Sequence, residues 1–415
     1  MKNVFEQYES NVRSYCRKWP TVFSKAKGSM IVDENGESYI DFFDGAGALN
    51  YGHNNNFIKE RLIKYIESDG IVHSLDMYAS AKKEFLSYFE KEFLIPRGYD
   101  YKVMFSGPTG TNAVEMALKL ARKNKKRNNV FALMGAFHGM TLGTLALTTE
   151  KAAREGAGVT LENVTHIAPP YYMNHSFDTL GYLKDILEDD HSGIDKPAAI
   201  ILETVQAEGG IYPFSVDFLK GLRNLCDQYD ILMIIDDIQV GCGRTGHFFS
   251  FERAGIVPDM VVLSKSIGGY GLPLAMVLIK PELDLFHPGE HNGTFRGFQL
   301  SMVTAKAGLE FFQENKMDQE VKRKEKIISD YLNKEIKPLL KKDMEIRGIG
   351  MIWGIDFKSG KLSRAVLDEC FKNHLIIELA GRDDAVLKIM PALTIDDELL
   401  LKGLDIIKNQ IKKVL

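Results

Sequence analysis

The sequence predicts an α/β fold, with a large doubly wound and mainly parallel sheet and a smaller α+β domain. Three observations carry that expectation. Short apolar runs, most of them β-branched and hydrophobic throughout, recur over residues 102–279, and unbroken hydrophobicity is what a strand buried on both faces requires. Stretches of helical period separate these runs, and strands alternating with helices build a parallel sheet covered by helices. The two chain ends lack this regular alternation and read as a mixed domain of their own.

Taken in order, the first 50 or so residues hold strand-like pieces around a turn at Asp33-Glu34-Asn35-Gly36, and they are expected to pack with the C-terminal tail. The strand candidates of the large domain are residues 102–105, 130–133, 198–202, 231–235, 260–263 and 275–279. Between the first two, Ala113, Val114, Ala117, Leu118 and Ala121 share one face of a helix over 113–122, with Thr111 or Asn112 available to cap it. Residues 301 to about 340 are helical in period and end in a lysine-rich surface run. Strand candidates at 351–357 and 387–389 and an amphipathic helix over about 396–414 complete the tail. The expected division is residues 55–310 for the large domain, and 1–54 with 311–415 for the small one. Repeats, low-complexity tracts and flexible linkers are not seen.

Of 415 residues, 52 are Lys or Arg and 56 Asp or Glu, a net charge of -4. That balance argues against a nucleic-acid binder, which needs a basic face to neutralise phosphates. Cys16, Cys226, Cys242 and Cys370 are far apart and form no C-x-x-C pair, which suits a reducing cytoplasm. Residues 1–9 lack an apolar signal core, and no apolar run approaches the roughly 18 residues of a membrane span. A soluble, cytoplasmic enzyme acting on small molecules is expected.

Two motifs that suggest ligands by their letters fail on context. Gly45-Ala46-Gly47 lacks the third glycine and the preceding βαβ unit of a dinucleotide fingerprint, so it reads as a tight turn. His287-Pro288-Gly289-Glu290-His291 spells a zinc pattern, but Pro288-Gly289 breaks the helix that would bring both histidines to one face. No metal is expected. Gly107-Pro108-Thr109-Gly110-Thr111-Asn112 is better placed, because it joins a strand to a helix whose first N–H groups can hold an anion. Asp236 and Asp237 follow one apolar strand and Lys265 follows another. In an open α/β sheet ligands bind at those carboxyl ends. The paired carboxylates could bind a metal or stabilise a cation, and a lysine buried there becomes a nucleophilic amine.

At this point the chain resembles the class III (ω-amino acid) pyridoxal-phosphate aminotransferases, over nearly its whole length. Asp236-Asp237-Ile238-Gln239-Val240-Gly241-Cys242-Gly243-Arg244-Thr245-Gly246, then Pro258-Asp259 and Ser264-Lys265-Ser266, is similar to that family's signature. Phe137-His138-Gly139, the segment from Glu203 to Gly210 and His291-Asn292-Gly293-Thr294-Phe295 are similar to further family blocks. Residues 43–55, 73–77, 107–113 and 288–297 resemble most the branch that makes diaminobutyrate for ectoine biosynthesis. Three positions depart from the branch pattern: Phe298-Gln299 stand in place of two asparagines, and Ala207 in place of a common glycine.

The resemblance implies the type I fold of pyridoxal-phosphate transferases, pyridoxal 5'-phosphate as cofactor, and a transamination. Lys265 would carry the cofactor, be displaced by the incoming amine and then move a proton. Asp236 would pair with the pyridinium nitrogen and keep it protonated. Gly110 and Thr111 would hold the phosphate, and Thr294 would reach the phosphate of a neighbouring subunit's cofactor, making a homodimer the smallest working unit. Phe137 would stack on the ring, His138 would support that turn, and Gln239 would lie on the other ring face or bond its 3′-oxygen. Glu208 matches a glutamate that many ω-aminotransferases pair with an arginine, and Lys388 stands in that arginine's place. Arg296 is the candidate for gripping a substrate carboxylate, with a structural ion pair as its alternative. The implied reaction is glutamate plus L-aspartate 4-semialdehyde to 2-oxoglutarate plus L-2,4-diaminobutyrate. A 4-aminobutyrate or ornithine type of transaminase, or an amino-aldehyde mutase, is the alternative.

Overall fold

The computed structural model describes residues 4–172 and 176–415; residues 1–3 of the N-terminal segment lie outside it. Near the N-terminus β1 (Phe23–Lys27), β2 (Met30–Asp33) and β3 (Ser38–Asp41) form an antiparallel meander. The turn predicted at residues 33–36 joins β2 to β3, and Asp33 Oδ1 accepts from the N–H groups of Asn35 and Glu37, both at 2.9 Å. An aspartate that closes its own turn in this way competes well with water.

The central sheet has seven strands: β4 (Lys102–Phe105), β5 (Val130–Leu133), β6 (Val164–Ile167), β7 (Ala199–Leu202), β10 (Leu232–Asp236), β11 (Met260–Leu263) and β12 (Met276–Ile279). A two-stranded ribbon, β8 (Val205–Gln206) with β9 (Tyr212–Pro213), follows β7. The sheet order is β4-β12-β11-β10-β7-β5-β6. Only β12 runs against its neighbours, so the other six strands point their carboxyl ends to one edge. Six of the seven strands match expectation to within a residue or so. The seventh, β6, escapes the sequence because Val-Thr-His-Ile at a sheet edge has two polar residues at its centre and lacks the continuous hydrophobicity of its neighbours.

The helix after β4 spans Gly110–Lys125, three residues earlier and later than expected, and its cap residue is Thr109 rather than Thr111 or Asn112. Its apolar face (Ala113, Val114, Ala117, Leu118, Ala121) is buried as predicted, but its first turn faces the strand ends and so carries no apolar period. The long helical stretch after residue 300 is two helices, Gln299–Glu314 and Met317–Tyr331, broken where Lys316 adopts φ 47°. A one-residue left-handed break leaves hydrophobic spacing almost intact, so periodicity cannot see it.

The chain's end forms a second antiparallel sheet, β13 (Glu345–Ile349), β14 (Ile352–Asp356), β17 (Val386–Ile389) and β16 (Glu378–Ala380), in that order. β15 (Leu375–Ile376) leaves it to pair in parallel with β3, and the Phe42 N–H donates to the Ile376 carbonyl at 2.8 Å. Phe42 is fully buried against the last helix, Asp397–Val414, where a Cβ on Gly403 would come within 2.2 Å of its ring. The two chain ends therefore share one sheet and one core.

Candidate active site

Asp236 closes β10 in register with Val262 of β11, so Asp236 and Lys265, two residues past β11, reach the same edge of the sheet. The neighbouring parallel strands add Glu203 beyond β7 and Phe137 and His138 beyond β5. The helix from Gly110 starts at this edge too, because β4 runs with the parallel set.

Asp236 is buried and accepts from the Ile238 N–H at 3.1 Å, while His138 Nδ1 lies 2.7 Å from its other oxygen. Burial by itself lowers the His138 pKa; the hydrogen bond and charge of Asp236 outweigh it, Glu203 adds to them, and the imidazole titrates above its ordinary value. Glu203, which sequence reasoning left without a role, accepts from the N–H groups of Phe137 and Ala207, both at 3.1 Å. Burial pushes its carboxyl up to about 7, against the pull of His138. Asp237 turns to the other side of the chain, where its Oδ2 accepts from the Ser250 N–H at 3.0 Å. The two adjacent aspartates thus face different surroundings rather than forming a pair.

Lys265 holds its backbone at φ 53°, a conformation costly for any residue but glycine and frequent at functional sites. Its ammonium donates to the Ala46 carbonyl at 2.8 Å, and Gln239 Nε2 donates to the same oxygen at 3.0 Å. Burial lowers the Lys265 pKa, and the charge of Glu208 opposes that. The acceptor belongs to the turn predicted at residues 45–47, in which Asp44, Gly45 and Ala46 all take φ between 55° and 57°. Arg244, fully buried, clamps it: Nη2 pairs with Asp44 and reaches Asn50 Oδ1 at 2.6 Å, while Nη1 donates to the carbonyls of Met351 at 3.1 Å and of Pro391.

Lys388 and Glu208 come together at 2.7 Å. The structure adds a third member, Glu378, 2.8 Å from the same ammonium. Lys388 has no exposed surface, Glu378 very little, and the Glu208 side chain is 32% exposed. Two carboxylates raise the Lys388 pKa well above the ordinary range although burial opposes them; Lys388 and Lys265 hold Glu208 at about 2 against burial. Tyr15 stands beside this group, its hydroxyl pKa raised first by burial and then by Glu378 and Glu208. Glu378 and Tyr15 went unread in the sequence because nothing local to either points at residue 388.

At the helix start, the Thr109 side chain makes no capping bond into the first turn. Thr111 Oγ1 joins the hydroxyls of Thr141 and Thr144 at 2.9 and 2.7 Å. Gly110 lies under Ile238, whose Cδ1 would be 2.7 Å from an added Cβ. Phe137 is half-buried and stands in none of the packed core clusters among the described residues. Thr294 is exposed on a short 3-10 helix, its carbonyl 2.7 Å from His73 Nε2. Arg296 pairs with Asp76 and donates to the His291 carbonyl at 3.0 Å, the structural ion pair that was its alternative.

These surroundings suit pyridoxal 5'-phosphate. A buried carboxylate backed by an imidazole suits a pyridinium, and a first helical turn flanked by hydroxyls suits a phosphate. The half-buried Phe137, the Lys265 amine and the unpartnered buried Oε1 of Gln239 lie around the same strand ends.

The model of the class-III aminotransferases matches residues 13–411. A diaminobutyrate–2-oxoglutarate transaminase of Halalkalibacterium halodurans is 52% identical over 410 residues, covering 99% of this chain and 96% of that protein. One of Bordetella parapertussis is 49% identical over 414 residues, covering 99% and 95%. Among solved structures, ornithine aminotransferase of Toxoplasma gondii superposes with a TM-score of 0.86 at 25% identity, covering 99% and 94% of the two chains. Taurine:2-oxoglutarate aminotransferase of Bifidobacterium kashiwanohense, in complex with pyridoxal phosphate and glutamate, gives 0.84 at 23%, covering 95% and 93%. With a full-length family match and a strand-end site suited to the cofactor these enzymes use, this chain belongs to the class-III aminotransferases.

Proposed function

We propose that this aminotransferase moves the amino group of L-glutamate to C4 of L-aspartate 4-semialdehyde, giving 2-oxoglutarate and L-2,4-diaminobutyrate. The observation that carries the reading is the match to diaminobutyrate–2-oxoglutarate transaminases at about half identity over 99% of the chain. Bound pyridoxal phosphate supplies an electron-poor ring that takes up the electrons of the C–H bond broken at the amine-bearing carbon.

The residues divide the remaining work. Asp236 keeps the ring nitrogen protonated, and His138 and the Ile238 N–H hold its carboxylate in place. Lys265 would hold the cofactor and, when released, would move the proton between the amine-bearing substrate carbon and the cofactor's C4′ carbon; its lowered pKa keeps more of the amine neutral for that task. The first turn at Gly110 and Thr111 takes the phosphate. Phe137 covers one ring face, and Gln239 lies at the other side, tied to Ala46.

Glu208 and Lys388 handle two different substrates. With the pair closed, Lys388 is engaged by Glu208 and Glu378 and offers no free positive charge to the diaminobutyrate side. With Glu208 turned aside, Lys388 meets the α-carboxylate of glutamate. Arg296, engaged by Asp76 and His291, serves to hold the segment that bears Thr294. Thr294 reaches the phosphate in a second subunit, which makes the working unit a homodimer. The seven-stranded sheet within residues 102–279 and the β3–β15 pairing support domains of 55–310 and of 1–54 with 311–415. No helix among the described residues is long and apolar enough to cross a membrane, and Cys16, Cys226, Cys242 and Cys370 are all unpaired, which supports a cytoplasmic setting.

Purified enzyme is expected to consume diaminobutyrate with 2-oxoglutarate as acceptor far faster than 4-aminobutyrate or ornithine. The reverse ranking overturns the substrate assignment, and turnover without any external acceptor favours the mutase.

A further inference from the structure

We infer that Glu378 is the standing counter-ion of Lys388, a positioning residue that allows Glu208 to leave the lysine when a substrate carboxylate arrives. The inference rests on the proposed opening of the Glu208–Lys388 pair and adds the part that makes opening possible with a lysine.

The two carboxylates on Lys388 are not equivalent. Glu378 and Lys388 are directly opposed in the register of the antiparallel strands β16 and β17, so the ladder fixes their spacing. Glu378 is 4% exposed. Glu208 stands on the turn between β8 and β9, its carbonyl tied to the Gly381 N–H at 2.9 Å but its side chain partly open to solvent. One partner is built into a sheet, and the other stands on a turn with about a third of its side chain open to solvent.

The charges explain the need. Lys388 has no exposed surface, and a buried ammonium stripped of its only partner is strongly unfavourable. An arginine that loses a glutamate keeps a delocalised, weakly hydrated charge; a lysine carries a compact charge that is costly to leave bare. With three donors, however, Lys388 can serve two carboxylates at once. When Glu208 turns away, Glu378 keeps the ammonium paired, and the incoming carboxylate replaces Glu208 like for like. The ammonium has two carboxylates before and after the exchange and one during it. Without Glu378 it has none during the exchange, so the barrier falls on opening.

The test follows the two half-reactions of the holoenzyme separately, by single-turnover absorbance, in wild type, Glu378→Gln and Glu378→Asp. In Glu378→Gln the maximal rate with glutamate is expected to fall at least about tenfold, and α-deuterated glutamate is expected to show no isotope effect, because opening now limits the rate. The rate with diaminobutyrate stays within about twofold and keeps its isotope effect. Glu378→Asp, with its carboxylate drawn back by one methylene, gives an intermediate and equally selective slowing, and it decides the question if Glu378→Gln does not fold. Equal slowing of both half-reactions, or a preserved isotope effect with glutamate, overturns the role of Glu378. Wild type that fails to react with diaminobutyrate overturns the substrate reading instead, whatever Glu378 does.

Discussion

Asp236 and Asp237 are identical in type and adjacent in the chain, yet strand geometry sends their side chains to opposite faces. Asp236 meets His138 at the sheet edge, and Asp237 is buried beside Ser250 with one oxygen left without a hydrogen bond. Burial pushes the Asp237 carboxyl up to about 7. The unfolded chain releases that proton near pH 4, so the folded state holds an extra proton between about 4 and 7. This contribution to stability is complete below about pH 4 and is lost as pH rises through about 7. The excess stability of wild type over Asp237→Asn should therefore fall by on the order of a few kcal/mol between about pH 4.5 and 7.5, read by denaturant unfolding at each pH. A flat difference means that Asp237 is ionised throughout. Asp236→Asn should lower turnover at least about a hundredfold with little change in melting temperature, because it removes the charge that holds the ring proton and leaves the fold.

At the scale of the element, the turn at residues 44–47 and the start of the helix at Gly110 show how backbone places chemistry. Three consecutive left-handed residues aim the Ala46 carbonyl at Lys265, and the buried Arg244–Asp44 pair keeps them there. Arg244→Met leaves Asp44 buried and alone and should cost about 3–5 kcal/mol. Adding Asp44→Asn should recover part of that loss, measurable as a positive coupling in a double-mutant cycle. Additive losses would show that the pair does not act as a unit. At the helix, Thr111→Val removes a hydroxyl from the cluster with Thr141 and Thr144. Cofactor affinity should weaken about tenfold, the worth of one hydrogen bond to a charged group, as read by equilibrium dialysis.

For the whole molecule, the pairing of β15 with β3 means that residues 311–415 cannot complete their fold without the N-terminus. A chain ending at residue 310 also lacks Lys388 and Glu378, and should be insoluble or lack near-UV signal. The proposed sharing of sites between subunits has its own test. Co-expressed Lys265→Ala and Thr294→Ala chains should regain about a quarter of wild-type activity, because half the random dimers are mixed and each mixed dimer holds one intact site. Activity no higher than that of Thr294→Ala alone places Thr294 and Lys265 in the same subunit's site.

The sequence by itself determined the α/β class, six of the seven central strands and the residues whose chemistry is declared by their place at a strand end. Asp236 and Lys265 were legible because a polar residue that stops a buried apolar run has few other reasons to be there. Tertiary structure alone decided what those residues touch. His138 backs Asp236 across 98 positions, and Ala46 faces Lys265 across 219. Hydrophobic period reports burial along one element and carries no record of its spatial neighbours. Glu378 illustrates the limit: it lies on a three-residue strand with no local pattern to single it out, and only the register with Lys388 shows a buried charge with a partner.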